Sequence, residues 1–221
     1  MSIHENYHHI KSQLPSHVEL VAVSKTHPVS AIQEVYELGQ RVFGENKVQE
    51  LTEKQALLPK NIQWHLIGHL QTNKVKYIAA FIDTIQSVDS EKLLSEINKE
   101  AQKHSRKIKV LLQVKIAEED SKFGLRADEA KALFLKYTSD EFPNIEITGL
   151  MGMATFTDDK SQVRREFLVL KNLFDDLNTI RKLTTLSMGM SDDFPVAIEC
   201  GANSVRVGSA IFGHRDYSKI P

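Results

Sequence analysis

Val18-Glu19-Leu20-Val21-Ala22-Val23 is a short apolar run, and behind it Val29, Ile32, Val35, Tyr36 and Leu38 recur at helical spacing as far as Gly39. A buried strand followed by an amphipathic helix that stops at a glycine is the repeating unit of an α/β fold. The rhythm continues along the chain. Strands are predicted at Arg41–Gly44, Ile62–Ile67, Thr84–Val88, Ile108–Val114, Ile145–Leu150, Thr184–Ser187 and Ser204–Val207. Helices are predicted over Lys47–Leu58, Leu70–Ala80, Lys92–Ile97, Asp128–Tyr137, Ser161–Arg181 and Pro195–Glu199, with Ser90 as an N-cap. A further helix, Ile3–Leu14, precedes the first strand. Eight alternations predict a (β/α)8 TIM-type barrel with an extra N-terminal helix. An open, doubly wound sheet fits the same pattern. No linker, repeat or composition shift divides residues 1–221, so one domain is expected. The polar stretch Glu118 to Lys122 is expected to be its most mobile segment.

Of the 221 residues, 41% are hydrophobic and 26% charged, the composition of an ordinary globular protein. Lys and Arg number 28 against 29 Asp and Glu, a net charge of −1. That balance lacks the broad basic face of a non-specific nucleic-acid binder, so any phosphate must be held by a local site. A single cysteine, Cys200, excludes an internal disulfide and a cysteine-cluster zinc site. No apolar run approaches the roughly 20 residues that span a bilayer. The polar start, Met1 to Tyr7, has no signal-peptide core. A cytoplasmic location is expected.

In a barrel the chemistry gathers at the C-terminal ends of the strands. Lys25 closes the first strand with no acidic neighbour in sequence. It is either a surface lysine or an amine whose charged form is disfavoured by an apolar wall, and so a nucleophile able to form an imine with an aldehyde. Gly208-Ser209 and Ser187-Met188-Gly189-Met190-Ser191 follow the last two strands, where barrels often hold a phosphate; ordinary tight turns are the alternative. Arg206 interrupts an apolar strand, so it must face either a ligand or a structural carboxylate. Asn46, His65 and His69 are expected within reach of the mouth. No spacing of His, Asp or Glu resembles a metal site, and no Walker or GxGxxG motif is present.

Six segments together resemble the YggS/PROSC pyridoxal phosphate homeostasis proteins. They are Val21–Thr26, Phe43–Asn46, Trp64–Lys74, Gly149–Met151, Leu186–Asp193 and Val205–Gly213, in order from about Glu19 to Gly213. The resemblance implies an alanine-racemase-like barrel that binds pyridoxal 5′-phosphate. It makes Lys25 the Schiff-base lysine and gives the phosphate to Ser191, Gly208 and Ser209. It places Arg206 at the pyridine nitrogen, with Asn46 and Met188 lining the cofactor. Lys47 and Gly152-Met153 depart from the family's commoner residues. The function implied is vitamin B6 homeostasis: a carrier that holds the cofactor and passes it to apo-enzymes, without being an enzyme itself. The alternative is a slow amino-acid racemase. Racemisation needs bases on both faces, and only about eight residues follow Gly213. Tyr217 is expected to be a solvated tail residue, and the protein a monomer.

Overall fold

The computed structural model describes residues 2–118 and 123–213. Glu119 to Lys122, within the segment expected to be mobile, and Tyr217 lie outside the described residues. The strands are β1 Glu19–Val23, β2 Val42–Glu45, β3 Gln63–Leu66, β4 Thr84–Val88, β5 Ile108–Gln113, β6 Ile145–Met151, β7 Thr185–Ser187 and β8 Ser204–Val207. They form a closed parallel barrel in chain order. Closure is made by β1 on β8, with Val21 opposite Arg206 and Ala22 opposite Val207. That pairing excludes the open sheet.

The helices are α1 Ile3–Gln13, α2 Val29–Glu37, α3 Val48–Leu57, α4 Glu91–Lys103, α5 Ala127–Thr138, α6 Lys160–Ile180, α7 Phe194–Glu199 and α8 Ser209–Phe212. Local chemistry explains their limits. Ser2 and Glu5 form a capping box that starts α1. Ser90 accepts from the Leu93 amide to start α4, and Asp159 accepts from Ser161 and Gln162 to start α6. The stripe Val163, Phe167, Leu170, Leu173 and Leu177 buries one face of α6.

Two elements differ from expectation. Leu70–Ala80 is not an α-helix; Thr72–Tyr77 forms a 3₁₀ helix. The buried Val75 and Ile78 are three residues apart, which suits the tighter turn. The short α8 lies outside the predicted helices, because four residues give too little periodicity to read.

Alternation along each strand splits the buried residues into two sets. Leu20, Ala22, Phe43, Trp64, Leu66, Val110, Leu112, Leu150, Val205 and Val207 belong to the hydrophobic core shared with the helices. The opposite parity is richer in polar groups. Ser187 of β7 bonds Gln86 of β4 at 2.6 Å, and these strands are not neighbours, so the contact crosses the barrel interior. Barrel interiors are ordinarily filled by branched apolar residues. Here His65, Gln86, Ser187 and Arg206, all buried, take part of that space.

Candidate functional site

Lys25 sits in the turn directly after β1 and is partly buried. The backbone around it is tied down on both sides. Ser24 Oγ donates to Glu45 Oε1 at 2.6 Å, and the Thr26 amide donates to Glu50 Oε1 at 2.5 Å. Lys54, buried on α3, joins these groups: its Nζ donates to Ser24 O at 2.8 Å, to Glu45 Oε1 at 2.7 Å and to Glu50 Oε1 at 2.7 Å. Thr26 takes a left-handed φ of 68°, costly for a β-branched residue. The turn therefore holds its shape against local preference.

Carboxylates thus lie beneath the lysine's turn, although none neighbours Lys25 in sequence. Glu45 and Glu50 come from β2 and α3, so proximity in sequence could not reveal them. Burial pushes the Glu45 carboxyl up to about 7, against the opposing pull of Lys54 and Ser24. Its Oε2 is buried with no hydrogen-bond partner, which fits the penalty on its charged form.

The loops after β7 and β8 meet beside this turn. The Gly208 and Ala210 amides both point to Ser191 Oγ, at 3.4 and 3.5 Å, long contacts that leave donor capacity. A Cβ on Gly208 would stand 3.0 Å from Val23 O, so the absent side chain lets β8's end close on β1's end. Ser209 is exposed at the start of α8. Asn46 is partly buried at the end of β2 under Gly68, where any Cβ would lie 2.4 Å from Asn46 O.

Arg206 is buried in β8. Its Nη1 donates to Ser187 Oγ at 2.5 Å and its Nη2 to Gly152 O at 3.0 Å. Those acceptors are neutral, so the guanidinium does not close on a structural carboxylate. Burial lowers its pKa to about 10, partly offset by the charge of Asp193, and it remains a cation at neutral pH.

Lys25, Asn46, Ser191, Gly208 and Ser209 all follow strand ends on the C-terminal side of the barrel. Met188 is wholly buried within the hydrophobic core. His65 departs from expectation. It bonds Gln86 and lies 3.4 Å from Asp83, which precedes β4, so it faces the opposite end. The register, His65 opposite Thr84 at the start of β4, puts it there. His69 does reach the C-terminal side, bonded to Asp89 at 3.1 Å and stacked on Phe123 at 3.9 Å. Met153, Phe156 and Met190 are exposed on the loops after β6 and β7. Among the described residues no cluster of His, Cys, Asp or Glu is placed to hold a metal, and no helix is long and apolar enough to cross a membrane.

A parallel barrel with a lysine at the tip of β1 and donor-lined loops after β7 and β8 defines a structural class. The family model for the N-terminal domain of alanine racemase matches residues 1–216. An alanine racemase from Clostridium difficile shares the fold, with a TM-score of 0.80 at 15% identity, over 99% of this chain and 61% of that one. A pyridoxal phosphate homeostasis protein of Pasteurella multocida is 41% identical over 226 residues, 98% of this chain and 96% of the relative. The human protein of that name is 42% identical over 217 residues, covering 91% of this chain and 78% of its own. The structure of PipY from Synechococcus elongatus with PLP bound superposes with a TM-score of 0.88 at 37% identity, over 96% of this chain and all of that one. The chain belongs to the pyridoxal phosphate homeostasis protein family.

Proposed function

We propose that this protein binds pyridoxal 5′-phosphate at the C-terminal mouth of its barrel and holds it in the cytoplasm for delivery to apo-enzymes. One observation carries the reading: an amine and an anion cradle leave neighbouring strands, Lys25 after β1 and Gly208-Ser209 after β8. The residues fit the ligand. A side chain on Gly208 would crowd Val23, and the Gly208 amide, the Ala210 amide and the Ser191 hydroxyl converge with unspent donor capacity.

Bound pyridoxal phosphate supplies an aldehyde carbon open to an amine and a ring that draws electrons. Lys25 would hold the aldehyde covalently. Ser191, Gly208 and Ser209 would hold the phosphate, with Asn46 and Met188 shaping the pocket. Arg206 would face the ring nitrogen. As a buried cation it disfavours a proton there, which weakens electron withdrawal and suits storage better than turnover. The name shared by the relatives supports the same role.

The test is spectroscopic. The protein loaded with pyridoxal phosphate should show a visible band, and borohydride should fix the adduct on Lys25, readable by mass spectrometry. Lys25→Ala should lose both. A band or adduct unchanged in that variant would refute the assignment. The fold shared with alanine racemases keeps a second reading, slow racemisation. Deuterium exchange at the α-carbon of amino acids, dependent on Lys25, would favour it over storage.

A further inference from the structure

A run of buried side chains crosses the barrel beneath the candidate site. Arg206 Nη1 donates to Ser187 Oγ at 2.5 Å, Ser187 Oγ donates to Gln86 Oε1 at 2.6 Å, and Gln86 Nε2 lies 2.9 Å from His65 Nδ1. His65 Nε2 is 3.4 Å from Asp83 Oδ2. Asp83 also accepts from Thr84 Oγ1 at 2.7 Å and faces Lys109 at 3.5 Å. The far end of the run lines a cavity of about 210 Å³ at the N-terminal mouth, together with Glu19, Lys109 and Glu146.

The donor inventory gives this run a direction. A guanidinium has no acceptor, so Ser187 Oγ accepts from Arg206 and its one hydrogen goes to Gln86 Oε1. The amide nitrogen of Gln86 then faces His65, so Nδ1 must accept. That requires the neutral ring carrying its hydrogen on Nε2, directed at Asp83. Every bond is donated the same way, from the cation at one end to the carboxylate at the other. Turning the Gln86 amide over would take the acceptor from the Ser187 hydroxyl and leave its hydrogen facing an NH2 group. A directed chain of this kind polarises its members and costs most when one link is lost.

We propose that Gln86 and His65 are positioning residues for Arg206. They fix the direction of the Ser187 hydroxyl, and through it the guanidinium that faces the ligand ring. The proposal rests on the reading above that Arg206 meets pyridoxal phosphate. It ties the N-terminal end of the barrel to the ligand end through side chains that touch no ligand.

The experiment follows the Arg206 guanidinium ¹⁵N resonances, assigned by their loss in Arg206→Lys, together with the visible band of the loaded protein as a function of pH. Gln86→Leu removes both links at that position. It should displace the Arg206 resonances in the ligand-free protein, shift the pH profile of the band, and weaken binding about tenfold. Gln86→Glu, when ionised, keeps an acceptor for Ser187 but has no hydrogen to donate to His65. It should keep the Arg206 resonances near their original positions while His65 gains a second proton, seen in its ring ¹⁵N shifts. A folded Gln86→Leu protein with unmoved Arg206 resonances and an unmoved pH profile would overturn the relay. If Gln86→Leu does not fold, the unsubstituted protein decides, and His65 ring ¹⁵N shifts that place its hydrogen on Nδ1 would overturn the relay. Arg206 resonances of the unsubstituted protein that ignore added pyridoxal phosphate would instead refute the site reading beneath it.

Discussion

Lys54→Met removes the ammonium from the network under Lys25 while keeping most of its apolar stem. Below pH 6 the Glu45 carboxyl is largely protonated, because burial raises it to about 7. The loss there is limited to the bonds from Lys54 to Ser24 O and Glu50, about 1 kcal/mol each. Above pH 7 the intact protein ionises Glu45 against Lys54, 2.7 Å away. The variant cannot, because a buried carboxylate without its partner costs about 3–5 kcal/mol. The variant therefore keeps Glu45 protonated, and its disadvantage grows by about 1.4 kcal/mol per pH unit. At pH 8.5 that adds about 2 kcal/mol to the low-pH loss. The sign in the unsubstituted protein follows from the same shift. A carboxyl raised in the folded state favours folding below its unfolded pKa of 4.5, and that contribution is lost as pH rises towards 7. Urea unfolding from pH 5.5 to 8.5 measures both effects, with Glu45→Gln as the variant that flattens them. A Lys54→Met penalty equal at both ends of that range would refute the argument. So would a Glu45→Gln protein with the unsubstituted pH dependence.

Ser209→Ala should remove one charge-assisted phosphate contact, about 1.5–3 kcal/mol. Pyridoxal phosphate should bind about tenfold to a hundredfold more weakly with the far-ultraviolet circular dichroism unchanged; loss of helicity would make Ser209 structural instead. Thr26→Gly relieves a β-branched residue held at φ 68°. Strain relief of about 1–2 kcal/mol exceeds the added chain entropy of glycine, so the urea midpoint should rise, and a fall would mean that the Thr26 side chain stabilises the turn.

The barrel was legible because its signals are local. Each strand is a short apolar run, and a stop such as Gly39 or a cap such as Ser90 lies within a few residues of what it limits. Closure was not legible, since it depends on Val21 meeting Arg206 from the far end of the chain. The strand-tip positions of Lys25 and Gly208-Ser209 could be read, because barrel geometry assigns them a face once the strands are counted. The acids under Lys25 could not. Glu45 and Glu50 look like ordinary members of a polar segment until α3 folds back and Lys54 joins them to Ser24. One cue was present: Glu45 stands at the end of a strand whose other residues are Val42, Phe43 and Gly44, and a charge there has to be explained.

Arg206 shows how far such a cue can be followed. A charge inside an apolar strand demands a partner, and sequence offered a ligand or a carboxylate. The structure supplies a third solution, two neutral acceptors followed by a directed run that ends on Asp83, on the far side of the barrel interior. Burial raises the Asp83 carboxyl, but hydrogen bonds from His65 and Thr84 and the charge of Lys109 work against it and hold the group below the usual carboxylate range. The run therefore ends on a stable anion. A cation placed this way keeps its charge and its donors without being neutralised at the ligand face. In the function proposed above, that is the condition under which Arg206 would keep a ring nitrogen unprotonated, with the amine of Lys25 and the cradle at Gly208 proposed for the two ends of the ligand.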